Sequence, residues 1–244
     1  SVPAGAYVGA ADVLRPGGLE GVRLGVVRGF VDAHPEVELQ FTALLEALRA
    51  AGALLVDGLA MPKLGEWRAA ELEVLLYEFK HGVNAYLEGL PNGGQPCTLE
   101  EVIEFNGANA EWSMPYFGQE LLISAQAKGP LTDPAYLEAL AASRRMCGEE
   151  GIDALLTEHR LDALISPTTG PAGLIDHVYG DAKRPGSSAA GPAAVAGYPH
   201  VTVPAGFVHG LPWGMSIFGT AWRDADVLRY AYAFEQATKA RRAP

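Results

Sequence analysis

The sequence predicts an α/β fold, a mixed and largely parallel sheet flanked by helices. Two observations carry this. Near the start, VRLGVV (residues 22–27) is an apolar run with β-branched residues, followed by a helical stretch and then by a second run, ALLVDGL. Strand–helix–strand order needs a crossover connection, and such units build parallel sheets. The last third returns to short apolar runs, LDALISP, HVTVPAGF and PWGMSIFG, before a closing amphipathic helix.

In chain order, VRLGVV is a buried strand. A helix follows from about Val37 to Ala51, with Leu39, Leu44, Leu45 and Leu48 on one face and Gly52 at its end. The middle is helical. Residues 67–90 carry Leu72, Leu75, Leu76, Phe79, Val83 and Tyr86 at helical spacing and end in PNGG. Thr98 is a good N-cap for TLEEVIEFN, with Glu100 and Glu101 in the first turn. Asp133 and Pro134 open a long helix that continues to about His159, with Tyr136, Leu137, Leu140 and Met146 as apolar positions. Leu161 to Ile165 is a strand ending at Pro167, and residues 170–191 are irregular. PAAVAGYP is a short helix, HVTVPAGF and PWGMSIFG are strands, and Asp224 to Ala240 is a helix with Val227, Leu228, Ala231, Phe234 and Ala237 on one side.

Composition limits the function classes. Of 244 residues, 49% are hydrophobic and 19% charged, which argues for a folded chain and against disorder. A net charge of -11 argues against nucleic acid or an anionic membrane surface as partner. The two cysteines, Cys97 and Cys147, form no CxxC pair, and a low count suits a reducing cytoplasm. SVPAGAYVGAADVL does not read as a secretion signal, and no stretch approaches the roughly 20 apolar residues of a membrane span. A soluble, cytoplasmic protein is expected. The chain begins at Ser1, which leaves processing or truncation open.

The sequence holds neither GxGxxG nor GxxxxGK[ST], and its six histidines show no HxxxH or HExxH spacing. Asp176, His177 and Asp181 are the one ligand-like group, and their spacing matches no metal geometry. No metal and no cofactor are therefore expected. Gly214-Met215-Ser216 is not a nucleophile elbow, because Phe218 replaces the second glycine and the run reads as a strand interior. RPGSSAAGP, residues 184–192, raises a sharper question. Adjacent serines beside glycine suit either a nucleophile with its base or a polar turn.

Four blocks in order, DALISPTTGP, GSSAAGPAAVAGYPHVTVPAGF, LPWGMSIFG and DADVLRYAYAFEQAT, resemble the C-terminal half of amidase signature family enzymes. LEGVRLGVVRGF, EFKHGVNAYLEGL, TLEEVIEFN and MPYFGQE resemble earlier segments of the amide-hydrolysing members, so the resemblance covers essentially the whole chain. It implies hydrolysis of carbon–nitrogen amide bonds by a lysine, a bridging serine and a nucleophilic serine, with backbone N–H groups stabilising the oxyanion. In the family these residues lie before the part that this chain resembles.

RPGSSAAGP is a poor substitute for that catalytic loop. Ala189 and Ala190 stand where glycines would turn the backbone, Pro192 lacks an N–H, and none of the five lysines has the family context. No catalytic residue is expected here, and the chain alone is expected to be inactive. By position, the resemblance nominates Gln119, Thr168, Thr169, Asp176, Ser187 and Ser188 as substrate-binding residues; for Thr168 and Thr169 a turn or cap role fits equally well. Tyr116 and Phe117 are expected in the core. Trp213 replaces the usual small aliphatic residue after "LP" and either fills space or meets a partner.

The expected organisation is one partial α/β domain over residues 1–244. Half a sheet should leave an edge and an apolar face uncovered. The implied partners are a small amide substrate of the complete enzyme and either a separate N-terminal catalytic portion or a second copy in a homodimer. The alternative is a non-catalytic binding or assembly module derived from an amidase.

Overall fold

The computed structural model describes residues 9–30, 34–91, 96–180 and 188–242. The chain divides into two compact units, residues 1–66, 144–173 and 183–244 in the first and residues 67–143 and 174–182 in the second.

The first unit opens with a short helix α1 (Ala10–Val13), then β1 (Arg23–Arg28), α2 (Pro35–Ala50) and β2 (Leu54–Ala60). Its sheet has the order β2-β1-β3-β5-β4, where β3 is Ala163–Pro167, β4 is His200–Val208 and β5 is Leu211–Phe218. β1 pairs parallel with β2 and β3, while β5 pairs antiparallel with β3 and β4. Four strands thus run one way and β5 alone runs against them. The sheet is mixed and largely parallel.

Strand side chains alternate between two cores, as the period of 2 requires. Leu24, Val26, Ile165, Met215 and Ile217 pack with Val37, Phe41, Leu45 and Leu48 of α2. The closing helix, Asp224–Thr238, adds Val227, Tyr230 and Phe234 to the same core. On the opposite face, Val27, Leu164 and Phe218 pack with Ile152, Leu155, Leu156 and Ala193. Both faces are therefore packed around β1, β3 and β5, while the edge strand β2 is largely exposed, Leu54 included. Leu39 is exposed because it lies opposite the 37/41/45/48 stripe. Leu228 and Ala237 are exposed too, and Tyr230 takes their place in the core.

The second unit contains α3 (Arg68–Glu88), α4 (Leu99–Ala108), α5 (Ala110–Ser113), α6 (Glu120–Gln126) and most of α7 (Pro134–Cys147). Thr98 caps α4 as expected, its Oγ1 accepting from the Glu101 N–H at 3.2 Å. The small core is Val74, Tyr77 and Tyr136. Lys80 Nζ donates to the Gln126 and Lys128 carbonyls at 2.8 and 2.6 Å, placing a cation at the C-terminal end of α6.

Of the apolar residues read at helical spacing along α3, Leu72, Leu75, Phe79 and Tyr86 are exposed and only Leu76 and Val83 are half-buried. Val74 and Tyr77, which do pack, lie on the other side of the helix at 100° per residue. Tyr116 and Phe117 are also exposed rather than core.

The long helix does run to His159, but through a π-helical segment, Gly148–Ile152, between α7 and α8 (Asp153–His159). The Asp153 N–H donates to the Gly148 carbonyl, five residues back. The glycines explain why the widened turn fits. A Cβ at Gly151 would stand 2.7 Å from the Met146 carbonyl oxygen, and one at Gly148 would stand 3.0 Å from Tyr198 Oη. Tyr198 in turn donates to Asp153 Oδ2 at 2.6 Å. Gly151→Ala is therefore expected to lower stability by about 1–3 kcal/mol, measurable by urea unfolding. No helix among the described residues is long and apolar enough to cross a membrane.

Candidate functional site

At the C-terminal end of β3 the sheet face that carries Leu164 and Phe218 turns polar. Ser166 pairs across the sheet with Ser216, which pairs with Thr202, so three hydroxyl side chains line up in one row. His200 sits one step back on β4, beside Phe218 at a ring separation of 5.9 Å. Its Nε2 lies 2.7 Å from Ser216 Oγ. Ser216 Oγ donates to Thr168 Oγ1 at 2.9 Å, and Thr168 Oγ1 lies 3.2 Å from Thr202 Oγ1. Carboxyl ends of strands in open α/β sheets are where ligands bind.

A His–Ser contact of this length suits a base with its nucleophile, but Ser216 is fully buried at 0% exposure. Its hydroxyl has no open side for a substrate carbonyl. The contact serves structure or positioning instead.

Thr168 is held at both ends of its peptide unit. Its N–H donates to the Gly214 carbonyl at 2.8 Å, and its carbonyl accepts from the Ala189 N–H at 3.0 Å. The second bond ties the end of the serine-containing loop to Thr168. Ser188 Oγ accepts from the Ala190 N–H at 3.1 Å, a local turn bond just ahead of α9 (Ala190–Ala196). Of the residues that disfavoured a catalytic loop, Ala189 and Pro192 are buried and Ala190 is half-buried at the start of α9. Thr169 is exposed. Ser187 lies outside the described residues, as do Asp181 and Lys183.

Gln119 and Asp176 belong to the second unit. Gln119 accepts from Asn106 Nδ2 at 3.2 Å and donates to the Ile103 carbonyl at 3.0 Å, bracing α4 against the start of α6. Asp176 Oδ1 accepts from the Tyr179 and Val178 N–H groups at 3.0 and 2.8 Å, which holds its carboxyl below the usual range. His177 stacks on Tyr116 at 3.9 Å and meets Phe117 edge-on, so the Gln119 segment and the Asp176 turn adjoin.

Burial pushes the His200 imidazole below its ordinary value of 6.5. Folding then favours the neutral ring, so its contribution to stability is complete above pH 6.5 and is lost as pH falls through the folded value. Asp57, lowered by its hydrogen bonds from Arg28, acts only below about pH 3.8. Between pH 7.5 and 4.5 the chain is expected to lose stability that His200→Gln does not lose. Equal losses in urea unfolding would contradict this.

The described lysines are engaged or in open solvent. Lys80 serves the end of α6, Lys128 pairs with Glu73 at 2.7 Å, Lys63 pairs with Glu66 at 3.4 Å, and Lys239 is exposed. Sequence reading missed His200, Thr202 and Ser216. The alternation in HVTV and GMSIF puts each on a definite strand face, but only the β3–β5–β4 register brings them together.

The model of the family "Amidase" matches residues 8–228. A "probable amidase" of Arabidopsis thaliana is 29% identical over all of this chain and 43% of its own length. The native peptide amidase of Stenotrophomonas maltophilia superposes with a TM-score of 0.89 at 40% identity, covering 99% of this chain and 48% of that one. An amidase family protein of Bacillus anthracis gives 0.75 at 26% identity, over 96% and 42%. The chain thus spans less than half the length of these relatives. With the family model covering nearly its whole length and solved amidases sharing its fold, this chain belongs to the amidase family.

Proposed function

We propose that this chain is the pocket-bordering half of an amidase that hydrolyses a carbon–nitrogen bond of a peptide-like amide, with nucleophile and base supplied from outside it. The observation that carries this reading is the 40% identity to a peptide amidase over 99% of the chain. That alignment leaves about half of the relative unmatched. The engaged lysines support the same division, as does the Ser188 hydroxyl, whose recorded partner is the Ala190 N–H and not a base. Thr168 and Thr169 border the substrate in this reading. The exposed α3 stripe is the surface that the remaining part covers. A cytoplasmic location belongs to the same reading and is supported by only two cysteines in 244 residues.

The exposed stripe also suits a non-catalytic assembly module, or a homodimer. Ammonia release from a dipeptide C-terminal amide separates these readings. The polypeptide that contains this chain together with the unmatched half should release ammonia and a free acid. A folded polypeptide of that kind with no turnover would favour the module.

A further inference from the structure

We propose that Thr168 and Thr202 present a directed hydroxyl donor to an oxygen acceptor, the carbonyl of a peptide-like substrate, and that His200 and Ser216 are positioning residues that set its direction. The nature of the acceptor rests on the amidase reading above. The relay itself does not.

Ser216 has one hydroxyl hydrogen, and it is donated to Thr168 Oγ1 at 2.9 Å. In the proposed relay the 2.7 Å contact with His200 is donated by the ring, with the proton on Nε2. Ser216 is wholly buried, so water does not compete for either bond. Thr168 Oγ1 has accepted a hydrogen and keeps its own. That hydrogen goes either outward or to Thr202 Oγ1, 3.2 Å away, which then keeps one in turn. Thr168 is half-buried and Thr202 exposed, so in both cases a donor emerges at the surface. Each bond in such a chain polarises the next.

The direction selects the ligand. A row that ends in a free O–H suits an oxygen acceptor such as an amide carbonyl. The anchor is rigid, because the Thr168 N–H and carbonyl are both bonded within the unit. Ser166 Oγ, the third hydroxyl of that row, is buried directly across from Ser216 and has no partner among the described residues.

The test has two arms. Imidazole ¹⁵N shifts of the chain should place the His200 proton on Nε2 at pH 7.5, and Ser216→Ala should move that signal. A proton on Nδ1, or an unmoved signal, overturns the relay. In the polypeptide that turns over a dipeptide amide, Thr168→Val and His200→Phe should each raise KM about tenfold with kcat nearly kept, the size of one lost hydrogen bond. His200→Gln, which restores an N–H donor, should return KM to within about twofold of the parent. A folding defect would instead lower kcat by reducing the active fraction. Unchanged KM in His200→Phe overturns the positioning role, and absent turnover in the parent sinks the amidase reading and the carbonyl acceptor with it.

Discussion

Trp213→Ala is expected to cost about 3–5 kcal/mol of unfolding free energy, among the largest effects of any single change in this chain. The indole is buried at 4% exposure on β5 and packs in the core formed with α2. Its Nε1 donates to Gln40 Oε1 at 2.7 Å, and Gln40 Nε2 donates onward to the Phe207 carbonyl at 2.8 Å. One residue therefore links α2 to β4 and β5. Alanine leaves both a cavity and a half-buried amide with one partner lost. Trp213→Phe keeps most of the packing and removes only the donor, so a loss of about 1–2 kcal/mol is expected. Urea unfolding reads both, and a loss under about 1 kcal/mol for alanine would mean that the indole is not a core residue. The sequence left open whether Trp213 fills space or meets a partner. In this chain it fills space.

In the proposed reading, where the unmatched half covers α3, Leu75→Glu with Phe79→Glu weakens that association by a hundredfold or more. Burying such a side chain contributes about 1.5–3 kcal/mol, so two lost anchors amount to about 3–6 kcal/mol before any cost of burying the new charges. Both residues are exposed here, and Val74 and Tyr77 hold the helix from its other side, so the fold should survive. Co-purification of the two parts, with circular dichroism as the check on folding, reads the effect. Undiminished association would move the interface off α3. Self-association lost on the same substitutions, with pairing unaffected, would identify the stripe as a homodimer surface.

The elements themselves were legible because their signals are local. β-branched runs located β1, β3, β4 and β5 to within one or two residues, and Thr98 and Pro134 located two helix starts. Coverage was not legible. Periodicity reports which residues of α3 are apolar, but not which side this chain buries, and the larger stripe turned out to face outward. The same limit hid the true face of α2, where Phe41 rather than Leu39 is core. In the described part of RPGSSAAGP, Ala189 is buried and Ser188 Oγ accepts from the Ala190 N–H, neither of which the sequence showed. The hydroxyl row was out of reach, because it depends on register between strands whose pairing order is not their chain order. The π segment was hidden for a related reason. Gly148 and Gly151 look like weak points in a helix until Tyr198 and Met146 are seen against them.

Ammonia release from a dipeptide amide by this chain alone, before and after Ser188→Ala, tests the central claim most directly. No turnover above the uncatalysed rate is expected in either protein, and turnover only when the unmatched half of the amidase is present. Hydrolysis by the chain alone that is abolished by Ser188→Ala, with the fold intact, would contradict it and make the serine loop the nucleophile after all.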